Sequence, residues 1–259
     1  MQLLVDHPNL VFFGLFAALL ICLEVGRLLG RRSIADPDNG AHGRTSAIDG
    51  AVFALLGLLL AFTFSGAASR FDGRRELIVA EANAIGTAQL RLDVVPTEAQ
   101  PALRDAFKRY VAARIDAYRG IDDVAGFEAK LAVANELQKE VWRLAVEAGL
   151  RADAPPSVNM LLLPALNEAF DLATSRAMAT QMHPPAVIYW MLLALALSGA
   201  VLAGHGLASS GRRDWLHMVS FALVMSLALS LIVDMEFPRL GYIRVDDFER
   251  TVIKYTGAE

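Results

Sequence analysis

"AFTFSGAASRFDGRRELIVAEANAIGTAQL", residues 61–90, begins as a membrane segment and ends as a charged helix, with no proline anywhere in it. Helical periodicity starts near Asp49 and holds to Val95, where Pro96 stops it. At ~1.5 Å per residue that is one helix of ~70 Å, more than twice the thickness of a bilayer's hydrocarbon core. Gly73 and Gly86 weaken such a helix without breaking it. The stretch therefore predicts a long helix that leaves the bilayer and keeps going.

Three further apolar runs accompany it. The four are residues 10–30, 50–69, 186–204 and 216–233. A spanning helix needs ~20 apolar residues, and irregular backbone cannot face lipid. The 259-residue chain is 55% hydrophobic, against ~45–50% for a soluble domain. Its mean hydropathy is +0.41. These features predict an all-α integral membrane protein with four transmembrane helices in two hairpins around a helical extramembrane insert. The expected segments are 1–69 (first hairpin), 70–184 (insert), 185–234 (second hairpin) and 235–259 (a tail packing on the insert). The first run lacks an N-terminal cation and a small-residue cleavage site, so it reads as a retained helix. A net charge of -4 gives no basic footprint for nucleic acid. The single cysteine, Cys22, lies in an apolar run and reads as an inert thiol.

Arginine placement sets an expected orientation. Arg31, Arg32 and Arg44 follow the first helix, and Arg212 and Arg213 follow the third. The positive-inside rule puts these short loops in the cytoplasm, and hence the insert and both termini in the periplasm of a bacterial inner membrane. Arg70, Arg74 and Arg75, at the exit of the second helix, vote the other way.

The insert reads as helical throughout. Thr97 and Gln100 fit a capping box before a helix with Leu103, Phe107, Tyr110 and Val111 on one face. Gly120 is expected to end that helix and Gly149 the next. Ser157 is a candidate cap for a last helix, in which Pro164 marks a kink or the first turn.

On the second helix, Phe53, Leu60, Phe64 and Phe71 fall within about 20° of one line, with Gly57 and Arg75 about 40° from it. Two readings stand: ordinary helix packing, or a pore-lining stripe. In a symmetric ring such a stripe makes a hydrophobic constriction that gates by dewetting. Arg74 and Arg75 would favour anions there, with Glu76 and Glu81 opposing them.

The run "LLGLLLAFTFSGAASRFDGRRELIVAEANAIGTA" resembles a signature stretch of an uncharacterised bacterial family of bestrophin-like membrane proteins, and so do "LEVGRLLGRR", "LNEAFDLATSRAM" and "DMEFPRLGYIRVDDFE". More distantly the chain is similar to bestrophins, which are pentameric anion channels with four membrane helices per subunit. In those the second helix lines the pore and the soluble region is cytoplasmic. The resemblance implies a homo-oligomeric passive ion channel, a pentamer, with the bilayer and small inorganic ions as its other partners. It implies a cytoplasmic insert, against the arginine count. Calcium-gated bestrophins carry an acidic cluster after the fourth helix; Asp246, Asp247 and Glu249 stand in a similar place as a candidate cation site, although the longer acidic run is missing. No other cofactor is expected.

Further polar residues invite weighing. Glu81 and Asn83 sit among small residues and suit an interhelical hydrogen bond or an ion contact. Asn167, Glu168 and Asp171 lie within about one turn, with Arg176 beyond, and read as a polar network or, less simply, a metal site. Glu24 with Arg27, and Asp234 and Glu236 with Arg27 or Arg239, suit ion pairs at the membrane boundary. Catalytic motifs are absent: the chain has no G-x-S-x-G, H-E-x-x-H, C-x-x-C or P-loop. A non-enzyme is expected, with a membrane-anchored interaction module as the alternative to a channel.

Overall fold

The computed structural model describes residues 8–34, 42–118, 124–210 and 213–237. Among them there is no strand. Seven α-helices are described: α1 (Pro8–Ile34), α2 (His42–Arg91), α3 (Gln100–Tyr118), α4 (Val124–Gly149), α5 (Leu163–Gln181), α6 (Ala186–Gly206) and α7 (Trp215–Glu236). The second is one unbroken helix of 50 residues. A 3-10 turn, Leu92–Val94, closes it before extended Val95 and Pro96. The chain divides into two compact units, with boundaries after Phe71 and after Met182.

The first unit holds α1, α2 as far as Phe71, α6 and α7. Its core joins Leu19 and Leu23 of α1, Leu56 of α2, Leu192, Ala196 and Ala200 of α6, and Met218, Ala222 and Leu229 of α7. Glycine sets the closest crossing. A β-carbon on Gly26 would collide with the Val201 carbonyl, and one on Gly204 with the Leu23 carbonyl. Gly30 has the Ala208 methyl and the His205 carbonyl oxygen each 2.7 Å from where its β-carbon would be. Small residues at these positions let α1 and α6 touch backbone to backbone, which is how helices associate without a hydrophobic drive.

The second unit holds the rest of α2 with α3, α4 and α5. Leu103, Phe107, Tyr110 and Val111, the face expected from periodicity, are all buried there with Val141, Leu162, Leu166 and Phe170. Tyr110 meets Phe170 edge-on at 5.3 Å, and Trp142 reaches the same ring at 6.4 Å.

Two local expectations change. Gln100 does not close a capping box with Thr97; its amide donates to the Val95 carbonyl at 2.8 Å and so secures the turn before α3. Ser157 makes no side-chain cap, because its backbone is already helical. Pro164 stands in the first turn of α5, one of the two roles expected of it, and a π turn, Val158–Leu162, runs directly into that helix. Proline lacks an N–H and crowds the carbonyl four residues back, and a wider turn before it makes room. Gly149 ends α4 as expected, while Gly120 lies outside the described residues.

Candidate functional site

The membrane stretch of α2 has three faces. Leu56, Ala67 and Arg74 lie on one line, with Leu56 and Ala67 buried in the first unit and Arg74 in the second. About 100° to one side run Ile48, Leu55 and Phe62, which are 64, 47 and 67% exposed within the chain. Around the rest of the helix stand Ala54, Gly57, Ala61, Ser65 and Ser69, small and exposed, with Leu58, 52% exposed, among them. Phe62, on the side of α2 opposite the aromatic stripe, is thus largely uncovered within one chain.

The stripe itself runs along the edge of the packed face, and its members divide. Phe53 meets Phe221 edge-on at 6.4 Å and lies against Gly199. Leu60 packs on the membrane core. Gly57 and Phe64 are exposed, Phe71 is half-buried, and Arg75 is exposed with Asp72 at 3.7 Å. Arg74 and Glu81 are buried inside the second unit, so neither presents a charge to an open path. Arg74 donates to the Ala179 and Met182 carbonyls at 3.2 and 3.1 Å, the last turn of α5, where the helix dipole favours a cation.

Glu81 anchors the most buried charge cluster. Its Oε1 accepts from Nε and Nη2 of Arg114 at 2.9 and 2.7 Å. Its Oε2 accepts from Nη1 of Arg176 at 2.7 Å. Arg114 also donates to the Ala173 carbonyl at 3.1 Å. The Arg176 guanidinium lies 3.8 Å from the centre of the Tyr118 ring. Burial opposes the Arg114 charge, yet the Glu81 carboxylate beside it holds the guanidinium above its ordinary value. Burial also pushes the Tyr110 phenol up. Of the expected network, then, Glu81 and Arg176 come together. Asn167 donates to Asp171 at 2.9 Å, the local polar pair read from their spacing, on an exposed surface, and Asn83 and Glu168 are exposed.

A second cluster belongs to the first unit. Glu236, fully buried at the end of α7, accepts from Nε of Arg70 at 2.9 Å and lies 2.8 Å from its Nη2. His183 Nδ1 stands 3.2 Å from the same carboxylate, its ring stacked on Phe237 at 4.6 Å. The pairing of Glu236 with Arg70 replaces the expected Arg27. Arg27 is held by Glu24 at 2.7 Å, as expected, and Arg213 joins Glu24 at 3.0 Å. Arg239, Asp246, Asp247 and Glu249 lie outside the described residues. Among the described residues no group of three His, Cys, Asp or Glu could hold a metal.

Arg114 and Arg70 were legible in principle. Arg114 follows Leu103, Phe107 and Tyr110 on the buried face of α3, and Arg70 continues the Leu56, Thr63 and Ala67 line of α2. A charge on an apolar stripe needs a buried partner.

With no strand among its described residues, and four helical stretches long and apolar enough to cross a bilayer, this is an all-α, multi-pass membrane protein. The chain belongs to the bestrophin-like family, whose bestrophin-like domain matches residues 13–247. Two mutant crystal structures of a bacterial bestrophin homologue from Klebsiella pneumoniae share its fold. The first has a TM-score of 0.65 at 15% identity, covering 92% of this chain and 98% of that one. The second has 0.64 at 17%, covering 93% and 97%. A further crystal structure, of a membrane protein, gives 0.63 at 16%, covering 92% and 97%. Identities this low speak for fold alone. Curated protein sequences give no match.

Proposed function

We propose that the protein is a passive, homo-oligomeric ion channel whose second helix lines the conduction path. One observation carries this reading. Only 6% of the apolar window of α2 is buried within the chain, against 17, 22 and 28% for the other three stretches. The uncovered face is mostly small and partly polar, at Ala54, Gly57, Ala61, Ser65 and Ser69, with Leu58 the bulky aliphatic among them. Small residues suit the close approach of another helix. Copies arranged around an axis would meet along this face, and closed rings are the usual form of such assemblies. Family membership and the bestrophin fold agree with a ring, and a pentamer is the number the resemblance implies.

Phe64 is then the constriction. It stands on the edge between the packed and the small faces, with Gly57 and Arg75 near its line. Phe53 and Leu60, engaged inside the chain, hold the helix in place behind it. A ring of Phe64 side chains offers an ion nothing in exchange for its hydration shell. Arg75 is the exposed cation nearest that line and would favour anions. Mass measurement in native lipid tests the assembly: a pentamer or other closed ring supports the channel. A monomer removes it, and a dimer favours the anchored interaction module.

A further inference from the structure

The exposed apolar stripe of α1 ends on charge. Leu10, Ala17, Ile21 and Leu28 lie within about 20° of one line, and all four are exposed. Glu24 stands about 40° from that line, between Ile21 and Leu28. Two guanidiniums meet its carboxylate. Buried Arg27 donates Nε to Oε2 at 3.0 Å and Nη2 to Oε1 at 2.7 Å. Arg213, just before α7, donates Nη2 to the same Oε1 at 3.0 Å. Two positive charges thus share one negative. Asp214, the next acid, is taken up by the start of α7: it accepts from the His217 backbone at 3.3 Å and lies 2.7 Å from His217 Nδ1. Arg213 is the outer of the two cations, its side chain 53% exposed. A guanidinium has five N–H donors, and Glu24 takes one of them.

Trp215 marks the depth of this group. The Arg213 guanidinium lies 5.7 Å from the centre of its ring, and the exposed indole opens a stretch long and apolar enough to cross a bilayer. Tryptophan settles at the level of the lipid headgroups. Past Glu24, α1 runs on to Arg31 and Arg32 in its last turn, with Arg32 exposed and ~12 Å further along the axis. A second protein helix would cover the apolar stripe but leave the outer donors of Arg213 without an acceptor. A phospholipid answers both, with phosphate above and acyl chain below. A zwitterionic headgroup brings its own ammonium to these arginines, so charge complementarity favours a lipid of net negative charge. We propose that the Glu24, Arg27 and Arg213 group is a binding site for an anionic phospholipid, with its phosphate on Arg213 beside Trp215 and an acyl chain along Ile21 and Ala17. Arg32 adds to the attraction from above. The proposal does not depend on whether the protein conducts.

Native mass spectrometry of the delipidated full-length protein in detergent tests it, with phosphatidylglycerol and phosphatidylcholine of the same acyl chains titrated separately. Wild type should bind phosphatidylglycerol the more tightly. Arg213→Gln should weaken phosphatidylglycerol roughly fivefold, the factor for one arginine at an anionic surface, and leave phosphatidylcholine where it was. Arg213→Lys, which keeps the charge, should retain the preference. Glu24→Gln removes the phosphate's rival for Arg213 and should tighten phosphatidylglycerol. Arg143→Gln, at an exposed pair on the helical domain, should change nothing. Equal affinity for the two lipids in the wild type overturns the proposal. So does a phosphatidylglycerol preference that survives Arg213→Gln, or one that Glu24→Gln weakens. Glycerol 3-phosphate in excess should not displace the bound lipid; if it does, the group takes free phosphate rather than a lipid, and the proposal falls.

Discussion

Glu81 is the residue on which the helical domain's polar interior turns. It is 2% exposed and bound by two guanidiniums, so its loss leaves two cations without it. Glu81→Gln should destabilise the protein by ~3–5 kcal/mol, the range for breaking a buried ion pair, read as a lowered melting temperature in detergent. Asp171→Asn, at an exposed pair, should stay within about 0.5 kcal/mol of wild type. The sequence pointed to Glu81 and Arg176 separately. It did not join them through Arg114, because a pair 33 residues apart is set by how α2 and α3 pack, which periodicity on either helix does not report. Asn167 and Asp171 were legible for the opposite reason: their pairing is local, four residues apart on one exposed turn of α5. Arg75 carries the selectivity expectation. Reversal potentials under a KCl gradient should show anion preference in the wild type, and Arg75→Glu should shift them toward cations; an unmoved reversal potential would take Arg75 off the path.

At the scale of elements, α2 was the most legible feature, since an apolar run feeding a charged amphipathic run without proline leaves the backbone no reason to break. Helix ends were read less well. Thr97 and Ser157 have the right chemistry for caps, yet the neighbouring turns, a Gln100 side chain and a π turn, already provide for the backbone there. Glycines on the helices separate by surroundings. Gly26 and Gly204 sit where α1 and α6 touch, while Gly73 and Gly86 face open space. Gly204→Val should abolish the folded protein, seen as loss of a monodisperse peak after extraction. Gly86→Ala should instead stabilise it by ~0.5–1 kcal/mol, since alanine favours helix and nothing obstructs the methyl. Equal effects from the two changes would mean that the α1–α6 crossing is not as close as the glycines imply.

For the whole molecule, composition and run lengths sufficed to read four membrane helices and a helical insert. Orientation and subunit number did not follow, because both depend on partners outside one chain: the translocation machinery and the other copies. Arginines in the short loops lead us to propose a periplasmic insert, in which case a phosphatase fused after Glu259 should be active. A fluorescent cytoplasmic reporter at the same site would reverse that assignment. The central claim is conduction along α2, and current across a planar bilayer holding the purified protein tests it most directly. Wild type should pass ions, Phe64→Ala should raise the current by opening the apolar ring, and Phe62→Ala, about 160° away around the helix, should leave it unchanged. Absence of current in both wild type and Phe64→Ala, with every ion tried, would contradict the account.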